Sequence, residues 1–339
     1  MHGMGGWIGL ALAAASTMAS AQDRVEMPTS YEAGHFYATP ILENGHSMRL
    51  VADTAGAGGS GWFVLDRAAA QRLGIPVESC KALGETFAVA KPIAFQNGKS
   101  LPAHNDTPCD APALVSNHLE PADREDGQLG AGYWPGHVWT FDYPAHKLWL
   151  EAAHWRPDTT MHRVHLGVNR DEAGHPVGGF ARITMRVDGV DLPMLLDTGA
   201  TAHPSAAGKI SQRELTASGF GVTSYITRSQ LDQWHARHPD WRVIANGDDL
   251  GGHGERLIEV PTVEVGGWRV DSVWFTERPD AAFDDHPGGM ASFTDGPVSG
   301  ALGANVYRHF RMTIDYPDGV AFLACVNDCH AANSKRPLH

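Results

Sequence analysis

The chain has 339 residues, more than the roughly 250 to 300 at which a single hydrophobic core stops growing, so its length predicts two domains or lobes. Its formal net charge of −13 argues against nucleic acid and anionic membrane surfaces as partners, because both require a basic face. The longest apolar run falls well short of the roughly 20 residues of a membrane span, so no span is expected.

Residues 1–21 have the pattern of a secretory signal peptide. An apolar, alanine-rich stretch from Trp7 to Ala15 precedes Ala19-Ser20-Ala21, a small-residue site of the kind that signal peptidase cleaves. We therefore expect an exported protein, periplasmic or secreted, whose mature chain begins after Ala21. An alanine-rich tail without a targeting role is the alternative.

A glycine pattern follows the first apolar strand. Gly56, Gly58 and Gly61 spell G-x-G-x-x-G, and Glu78 lies at about the distance at which dinucleotide-binding motifs place an acidic residue. A dinucleotide-binding oxidoreductase is therefore one possible function. That fold requires strands and helices that alternate throughout, whereas the rest of this chain is mostly strand-like.

Four cysteines fit an oxidising compartment and predict two disulfides, one within each sequence-local group. The groups are Cys80 with Cys109 and Cys325 with Cys329. A zinc site is the rival interpretation, but C-x3-C with one nearby His330 lacks the second ligand pair of such sites. We therefore predict neither a metal nor a cofactor.

The second half of the chain repeats the first. Residues 126–150 align without a gap on 299–323 at a shift of 173, with nine identities in 25 positions. Upstream, residues 41–54 align on 185–198 at a shift of 144, and each copy ends on Asp-Thr. The two shifts differ by 29 residues, much of which we assign to an insertion at 203–221.

Each half has the same predicted order of elements. A hairpin with a turn at Asn44-Gly45 or Asp188-Gly189 leads to Asp-Thr, then to a short helix, a strand-rich middle, an apolar-Gly turn and a last strand pair. The strand-rich middles include residues 92–101 and 260–277, which alternate around glycine turns. The prediction is a mostly β, two-lobed fold that arose by internal duplication.

The predicted domain boundaries follow from the repeat. The N-terminal lobe spans residues 22–155 and the C-terminal lobe residues 156–330, followed by a tail at 331–339. The boundary falls in the polar, proline-containing segment 153–160, where the first repeat has ended.

The repeated Asp-Thr sites resemble those of a known family. "LLDTGAT", Leu195 to Thr201, is similar to the Asp-Thr-Gly loop of aspartic peptidases, specifically of bacterial retropepsin-like proteins with two lobes in one chain. In that family each lobe contributes one such loop, and an apolar-apolar-Gly turn crosses behind it. Residues 301–303 and 128–130 fit that turn, and the resemblance covers about residues 36–324. The matching turn residues are Leu302, Gly303, Leu129 and Gly130.

The resemblance implies an acid-protease-like fold with a dyad of Asp53 and Asp197 in a cleft between the lobes. It also implies that Thr54 and Thr198 hold the two loops together through hydroxyl-to-backbone hydrogen bonds. Two carboxylates about 3 Å apart cannot both ionise, so one can activate a water while the other donates to the substrate carbonyl.

The predicted function is an aspartic-type endopeptidase, a monomer that cleaves peptides or proteins without a cofactor. A catalytically silent protein of the same fold that binds peptides is the alternative.

The first half departs from the family pattern. Ala55 occupies the position of Gly199, and glycine follows one place later at Gly56, which raises the question whether this lobe is competent. Ala200 follows Gly199 where many acid-active relatives have serine, so a hydroxyl that favours the ionised carboxylate is absent. We therefore expect a working pH nearer to neutral.

Three further segments are candidates for shaping the cleft. The glycine-rich residues 247–255 are a candidate flap, because such sites must control water during the reaction. The insertion at 203–221 and the helix-like residues 230–241 are candidates for specificity.

Overall fold

The structure is a computed structural model that describes residues 24–59, 61–82, 84–104, 107–117, 119, 124–174 and 178–332. The expected signal peptide and most of the predicted tail lie outside these residues. In the part of the chain that is described, no helix is both long enough and apolar enough to cross a membrane.

The first half is built mainly of strands with one α-helix in its described residues. Its elements are β1 (Val25–Glu26), β2 (Thr29–Glu32), β3 (His35–Ala38), β4 (Leu50–Ala52), β5 (Phe63–Asp66), α1 (Arg67–Arg72), β6 (Val77–Ala82), β7 (Glu85–Ala90), β8 (Ala113–Ser116), β9 (Gly127–Leu129), β10 (Val138–Asp142) and β11 (Lys147–Leu150).

The second half follows the same plan. Its elements are β12 (His162–His165), β13 (Arg182–Val187), β14 (Val190–Leu196), β15 (Thr201–Ala202), β16 (Gly221–Val222), β17 (Ser224–Thr227), α2 (Arg228–Arg237), β18 (Val243–Asp248), β19 (Glu255–Val265), β20 (Trp268–Arg278), β21 (Gly300–Leu302), α3 (Ala304–Tyr307), β22 (Phe310–Asp315), β23 (Val320–Cys325) and β24 (Cys329–Ala331).

The two halves form sheets with the same strand order. The N-terminal sheet contains the order β3-β4-β9-β5-β8-β7-β6, and the C-terminal sheet contains β13-β14-β21-β17-β20-β19-β18. In both, the strand that leads to Asp-Thr pairs in parallel with the strand of the apolar-Gly turn, β4 with β9 and β14 with β21. The predicted duplication is therefore confirmed at the level of topology, and the fold is mostly β with two lobes.

Local sequence explains where the elements begin and turn. The Asp66 carboxylate accepts a hydrogen bond from the Ala69 amide at 2.9 Å and caps α1, which ends before Gly74 at φ +69°. Asp188 and Gly189 both have positive φ in the turn between β13 and β14, as their dipeptide predicts.

A third sheet joins the two halves. We call it the shared sheet, and its order in the described chain is β1-β11-β10-β22-β23-β12. At its centre β10 and β22 run antiparallel, with Thr140 opposite Thr313. Both threonines are buried, and their hydroxyls form a hydrogen bond of 2.7 Å. These two residues are equivalent in the repeat, so the pseudo-two-fold axis of the molecule passes between them.

Both predicted disulfides form, Cys80 with Cys109 and Cys325 with Cys329. The first ties β6 to the 3-10 helix Pro108–Asp110, and the second links β23 to β24. Such bonds persist in oxidising compartments, which fits an exported protein.

The strands predicted at residues 92–101 do not form. An isolated bridge between Leu42 and Phe95 takes their place. Pro92 and Pro102 lack an N–H group and so cannot donate to a ladder. The alternating apolar residues of this segment reflect contact along one side with the chain near Leu42.

The lobe boundary remains a proposal. We propose the division within residues 153–160, which lie between β11 and β12. At the other end, Ala331 belongs to β24 and pairs with Trp268.

The threonine pair at the centre of the shared sheet generates a stability prediction. Thr313→Val leaves the buried Thr140 hydroxyl without its partner, and we expect the free energy of unfolding to fall by about 1 to 3 kcal/mol. The double variant Thr140→Val with Thr313→Val removes both hydroxyls and should recover most of this loss. Urea unfolding of the single and double variants checks it, and additive losses would contradict the hydrogen bond's role.

Candidate active site

The strand order brings Asp53 and Asp197 to one place. Each follows directly on a buried strand, β4 or β14, and each backbone N–H donates to the carbonyl of the neighbouring apolar-Gly turn. Asp53 donates to Leu129 at 3.0 Å, and Asp197 donates to Leu302 at 3.1 Å. The two turns therefore cross behind the aspartates at equivalent positions in the two halves.

Thr54 and Thr198 link the two loops by reciprocal hydrogen bonds. The Thr54 amide donates to the Thr198 hydroxyl at 3.1 Å, and the Thr198 amide donates to the Thr54 hydroxyl at 3.0 Å. Each hydroxyl also donates into the opposite strand, from Thr54 to the Leu196 carbonyl at 2.8 Å and from Thr198 to the Ala52 carbonyl at 2.6 Å. Both side chains are buried, so little water competes for these bonds.

The carboxyl groups of Asp53 and Asp197 lie close enough together that each shifts the pKa of the other. Burial, and next the neighbouring charge of Asp53, holds the pKa of Asp197 well above its usual value. Burial also raises the pKa of Asp53, although hydrogen bonds from the Ala55 amide, Asp197 and the Gly56 amide oppose this. Such a pair holds one shared proton over a range in which isolated carboxyls are ionised.

The loops around the two carboxylates differ first at the position after Asp-Thr, which is Ala55 in one and Gly199 in the other. The Ala55 amide donates to the Asp53 carboxylate at 2.9 Å, as the Gly199 amide donates to Asp197 at 3.0 Å. A Cβ atom at position 199 would lie 2.2 Å from the Asp53 carboxyl carbon, so only glycine fits there. The Ala55 methyl instead packs against an apolar cluster that includes Leu195. The alanine therefore leaves the hydrogen bond to Asp53 intact.

Gly56 and Gln128 both contact the N-terminal aspartate loop. Gly56 lies against Asp53, since a Cβ atom there would be 2.8 Å from a carboxylate oxygen. The buried Gln128, the polar first residue of its turn, donates from its amide to the Ala57 carbonyl at 3.1 Å.

The glycines of the two apolar-Gly turns are required by close packing. A Cβ atom at Gly130 or Gly303 would lie 1.8 or 1.7 Å, respectively, from a backbone carbonyl oxygen.

The glycines of G-x-G-x-x-G serve this loop and not a helix terminus. The loop leads into strand β5, whereas a dinucleotide motif opens a helix whose N-terminus receives the pyrophosphate. Gly58 and Gly61 have positive φ and let the chain turn back towards β5. This arrangement argues against dinucleotide binding.

Sequence reasoning missed two side chains that hold the aspartate loops. The Trp134 indole donates to the Asp53 carbonyl at 3.2 Å. The Tyr225 hydroxyl donates to the Thr201 carbonyl at 2.6 Å and accepts from the Thr201 amide at 2.9 Å. No signal was available for Tyr225, because the repeat places Val64 at its position and the insertion separates it from Asp197.

Three buried tyrosines lie close enough to Asp53 or Asp197 to interact with them electrostatically. Tyr143, Tyr307 and Tyr316 are fully or almost fully buried, and their hydroxyls have no hydrogen-bond partner among the described residues. Burial raises the pKa of all three well above its usual value, so they add no charge next to the carboxyls.

The candidate flap at residues 247–255 forms the turn of the β18–β19 hairpin. The buried Asp248 carboxylate at its base accepts from the His203 amide at 2.9 Å and from the Thr276 hydroxyl at 3.0 Å. The β6–β7 hairpin takes the equivalent position in the first half. The role of either hairpin as a flap remains a prediction.

The raised pKa of Asp197 leads to a prediction about stability and pH. Above about pH 4 the unfolded chain releases this proton while the folded protein retains it, so the wild-type free energy of unfolding should fall as the pH rises. Each tenfold difference in proton affinity between the two states corresponds to about 1.4 kcal/mol. Asp197→Asn should lose most of this dependence.

Urea unfolding at intervals between pH 4 and pH 8 checks this prediction. The exposed Asp240→Asn is the matched control and should follow the wild type. Parallel pH dependences of the wild type and Asp197→Asn would show that the proton is not held at the dyad.

Comparisons with known proteins give similarities of shape. No protein-family model matches the sequence, and no curated protein matches it. Among solved structures, an aspartic proteinase from Irpex lacteus is 9% identical, with a TM-score of 0.49 over 90% of this chain and 98% of that chain. Basic 7S globulin from soybean is 10% identical, with a TM-score of 0.43 over 89% of this chain and 95% of that chain. These scores are too low to support an argument, so the evidence for the duplicated topology and for the Asp53–Asp197 pair comes from this chain's own contacts. The narrower resemblance to bacterial retropepsin-like proteins remains a prediction.

Proposed function

We propose that the protein is an aspartic-type endopeptidase that hydrolyses peptide bonds with a water molecule activated by Asp53 and Asp197. The observation that supports this most is the pair of buried carboxyls, which the reciprocal hydrogen bonds of Thr54 and Thr198 hold together and whose pKa values burial raises. Two buried carboxyls with no function would lower the stability of the fold, because each desolvated acid must remain protonated or paired.

The difference between the two environments assigns the roles. Each carboxyl accepts hydrogen bonds from two backbone amides, so these do not distinguish the two. The difference is that the charge of Asp53 raises the pKa of Asp197, whereas the interaction with Asp197 lowers the pKa of Asp53. In this proposal Asp53 takes a proton from water as the water oxygen bonds to the carbonyl carbon, and Asp197 gives its proton to the carbonyl oxygen. The carbon–nitrogen bond then breaks as Asp53 passes its proton to the leaving nitrogen and Asp197 recovers a proton from the diol.

An apolar cavity beside the Asp53 loop offers a place for a substrate side chain. Its volume is about 600 Å³. Residues of the Asp53 loop line one side and residues of the second half line the other: Ala55, Ala57, Gly58, Phe180, Met290 and Phe293. We propose that an apolar side chain of the peptide lies here.

Substitution of either aspartate tests the function directly. Asp53→Asn and Asp197→Asn should each lower kcat by about 10²- to 10⁴-fold, because each removes one proton-transfer group. Cleavage of a peptide library by the wild type across pH 3 to 8 identifies a substrate and gives the pH profile of activity. We expect the activity to be highest nearer to neutral pH than to pH 3. Asp240→Asn, an exposed carboxylate, is the control that should retain activity.

Two outcomes would count against the proposal. Peptides that bind without cleavage at any pH would support the catalytically silent alternative. Cleavage that survives in both aspartate variants would place the chemistry elsewhere.

The asymmetry of the loops gives a second test. Gly199→Ala places a methyl group against the Asp53 carboxyl and should lower kcat by about 100-fold, the scale expected for a displacement of about 1 Å. Ala55→Gly retains the amide that donates to Asp53 and should leave kcat within about threefold of the wild type. Equal losses in both variants would contradict the different roles assigned to the two positions.

A further inference from the structure

A second cavity lies where the two halves meet, apart from the residues of the dyad. Its volume is about 250 Å³. Tyr31 and His146 line it from the first half, and Arg213, Arg308 and Asn327 line it from the second. Arg213 belongs to the insertion at 203–221, which the sequence marks as a candidate for specificity but to which the proposed proton transfers assign no step.

Arg308 is held in position at the wall of this cavity. It follows α3 directly, and its Nε donates to Nε2 of His309 at 3.4 Å. The opposite nitrogen of that ring, Nδ1, donates to the Asn327 carbonyl at 3.0 Å. Burial, and next the charge of Arg308, lowers the pKa of His309 to about 4, so the ring is neutral and can accept. The terminal nitrogens of Arg308 make no hydrogen bond or ion pair with any residue that the structure describes.

The positive charge at this wall is only partly compensated. No carboxylate in the described chain lies within 4.0 Å of the guanidinium of Arg213 or Arg308. Glu214 and Asp328 act on Arg308 from greater distances, yet burial and the charge of Arg213 still lower its pKa. A half-buried guanidinium beside a second one is unfavourable unless an anion joins them.

Tyr31 adds a neutral donor. Burial, and next the charge of Glu214, raises the pKa of its hydroxyl to about 12, so the proton is retained at any physiological pH. Its ring is stacked on His146 with 3.9 Å between the ring centroids. The cavity thus combines two guanidinium groups with an O–H donor, and Glu214 is the one carboxylate among its described lining residues.

We propose that this cavity binds a small oxyanion, a carboxylate or a phosphate, between Arg308 and Arg213. The free edge of the Arg308 guanidinium can bind two oxygens in parallel, and Arg213 supplies a second charge from the insertion. Because the lining comes from both halves, the bound anion stabilises the folded arrangement of the lobes. The site does not depend on the peptidase function.

Thermal unfolding in sodium phosphate tests the site, with sodium chloride of equal ionic strength as the reference. We expect phosphate to raise Tm in a saturable manner that chloride does not reproduce. A tripeptide with a free C-terminal carboxylate and the same tripeptide as its amide form a second pair of arms. A rise in Tm with the acid and none with the amide identifies a peptide terminus as a ligand, and a response to phosphate alone identifies a phosphate.

Variants assign the response to the cavity. Arg213 is exposed, so Arg213→Gln should fold. Both Arg213→Gln and Arg308→Gln should weaken phosphate binding about tenfold. The exposed Arg163→Gln on β12 removes the same charge elsewhere and should respond like the wild type. Asp197→Asn should also retain the response, which separates this site from the proposed peptidase activity.

Equal shifts in phosphate and chloride with no response to the peptide acid would overturn the proposal. An Arg213→Gln variant that responds as strongly as the wild type would do so as well, even if Arg308→Gln fails to fold.

Discussion

Thr54 and Thr198 each place a hydroxyl inside the other half of the molecule, and the geometry of the dyad depends on that exchange. Each hydroxyl accepts from the partner's amide and donates to a carbonyl at the end of the opposite aspartate strand. The two strands are thereby fixed to each other one residue before the carboxyls. Two acids that repel when both are ionised can remain adjacent only if the backbone beneath them cannot separate.

The two halves share equivalent backbone hydrogen bonds around the aspartates but differ in the side chains that support the loops. Equivalent amides donate to equivalent carboxylates, yet Trp134 supports one aspartate loop and its counterpart Tyr307 makes no matching hydrogen bond among the described residues. Tyr225 clamps the other loop at Thr201. Two carboxyls in different surroundings have different proton affinities, and the proposed roles of one as base and the other as acid depend on that difference.

Much of the architecture could be predicted because its signals lie in short local segments or recur in both halves of the sequence. The Asp188-Gly189 turn and the helix α1 follow from local chemistry. The repeat locates an Asp-Thr at the end of a strand in each half, and the resemblance of these sites to Asp-Thr-Gly loops implies that the two aspartates are adjacent. The strands expected at residues 92–101 did not form, since an alternating pattern cannot reveal whether a partner strand is within reach. The cavity around Arg308 joins segments far apart in the chain, and no repeat relates them.

The antiparallel pairing of β10 with β22 matches equivalent residues of the two halves, with Thr140 opposite Thr313 at the centre. An edge that pairs with its own duplicate in this manner is self-complementary: a copy of β10 turned by 180° presents the groups that β22 presents. The same interface can therefore be built from two identical chains of half the length, related by a true two-fold axis. In such a dimer every residue at the dyad would occur twice, and a change such as alanine for glycine beside one aspartate would necessarily alter both. In a single polypeptide the two loops can differ, as Ala55 and Gly199 do.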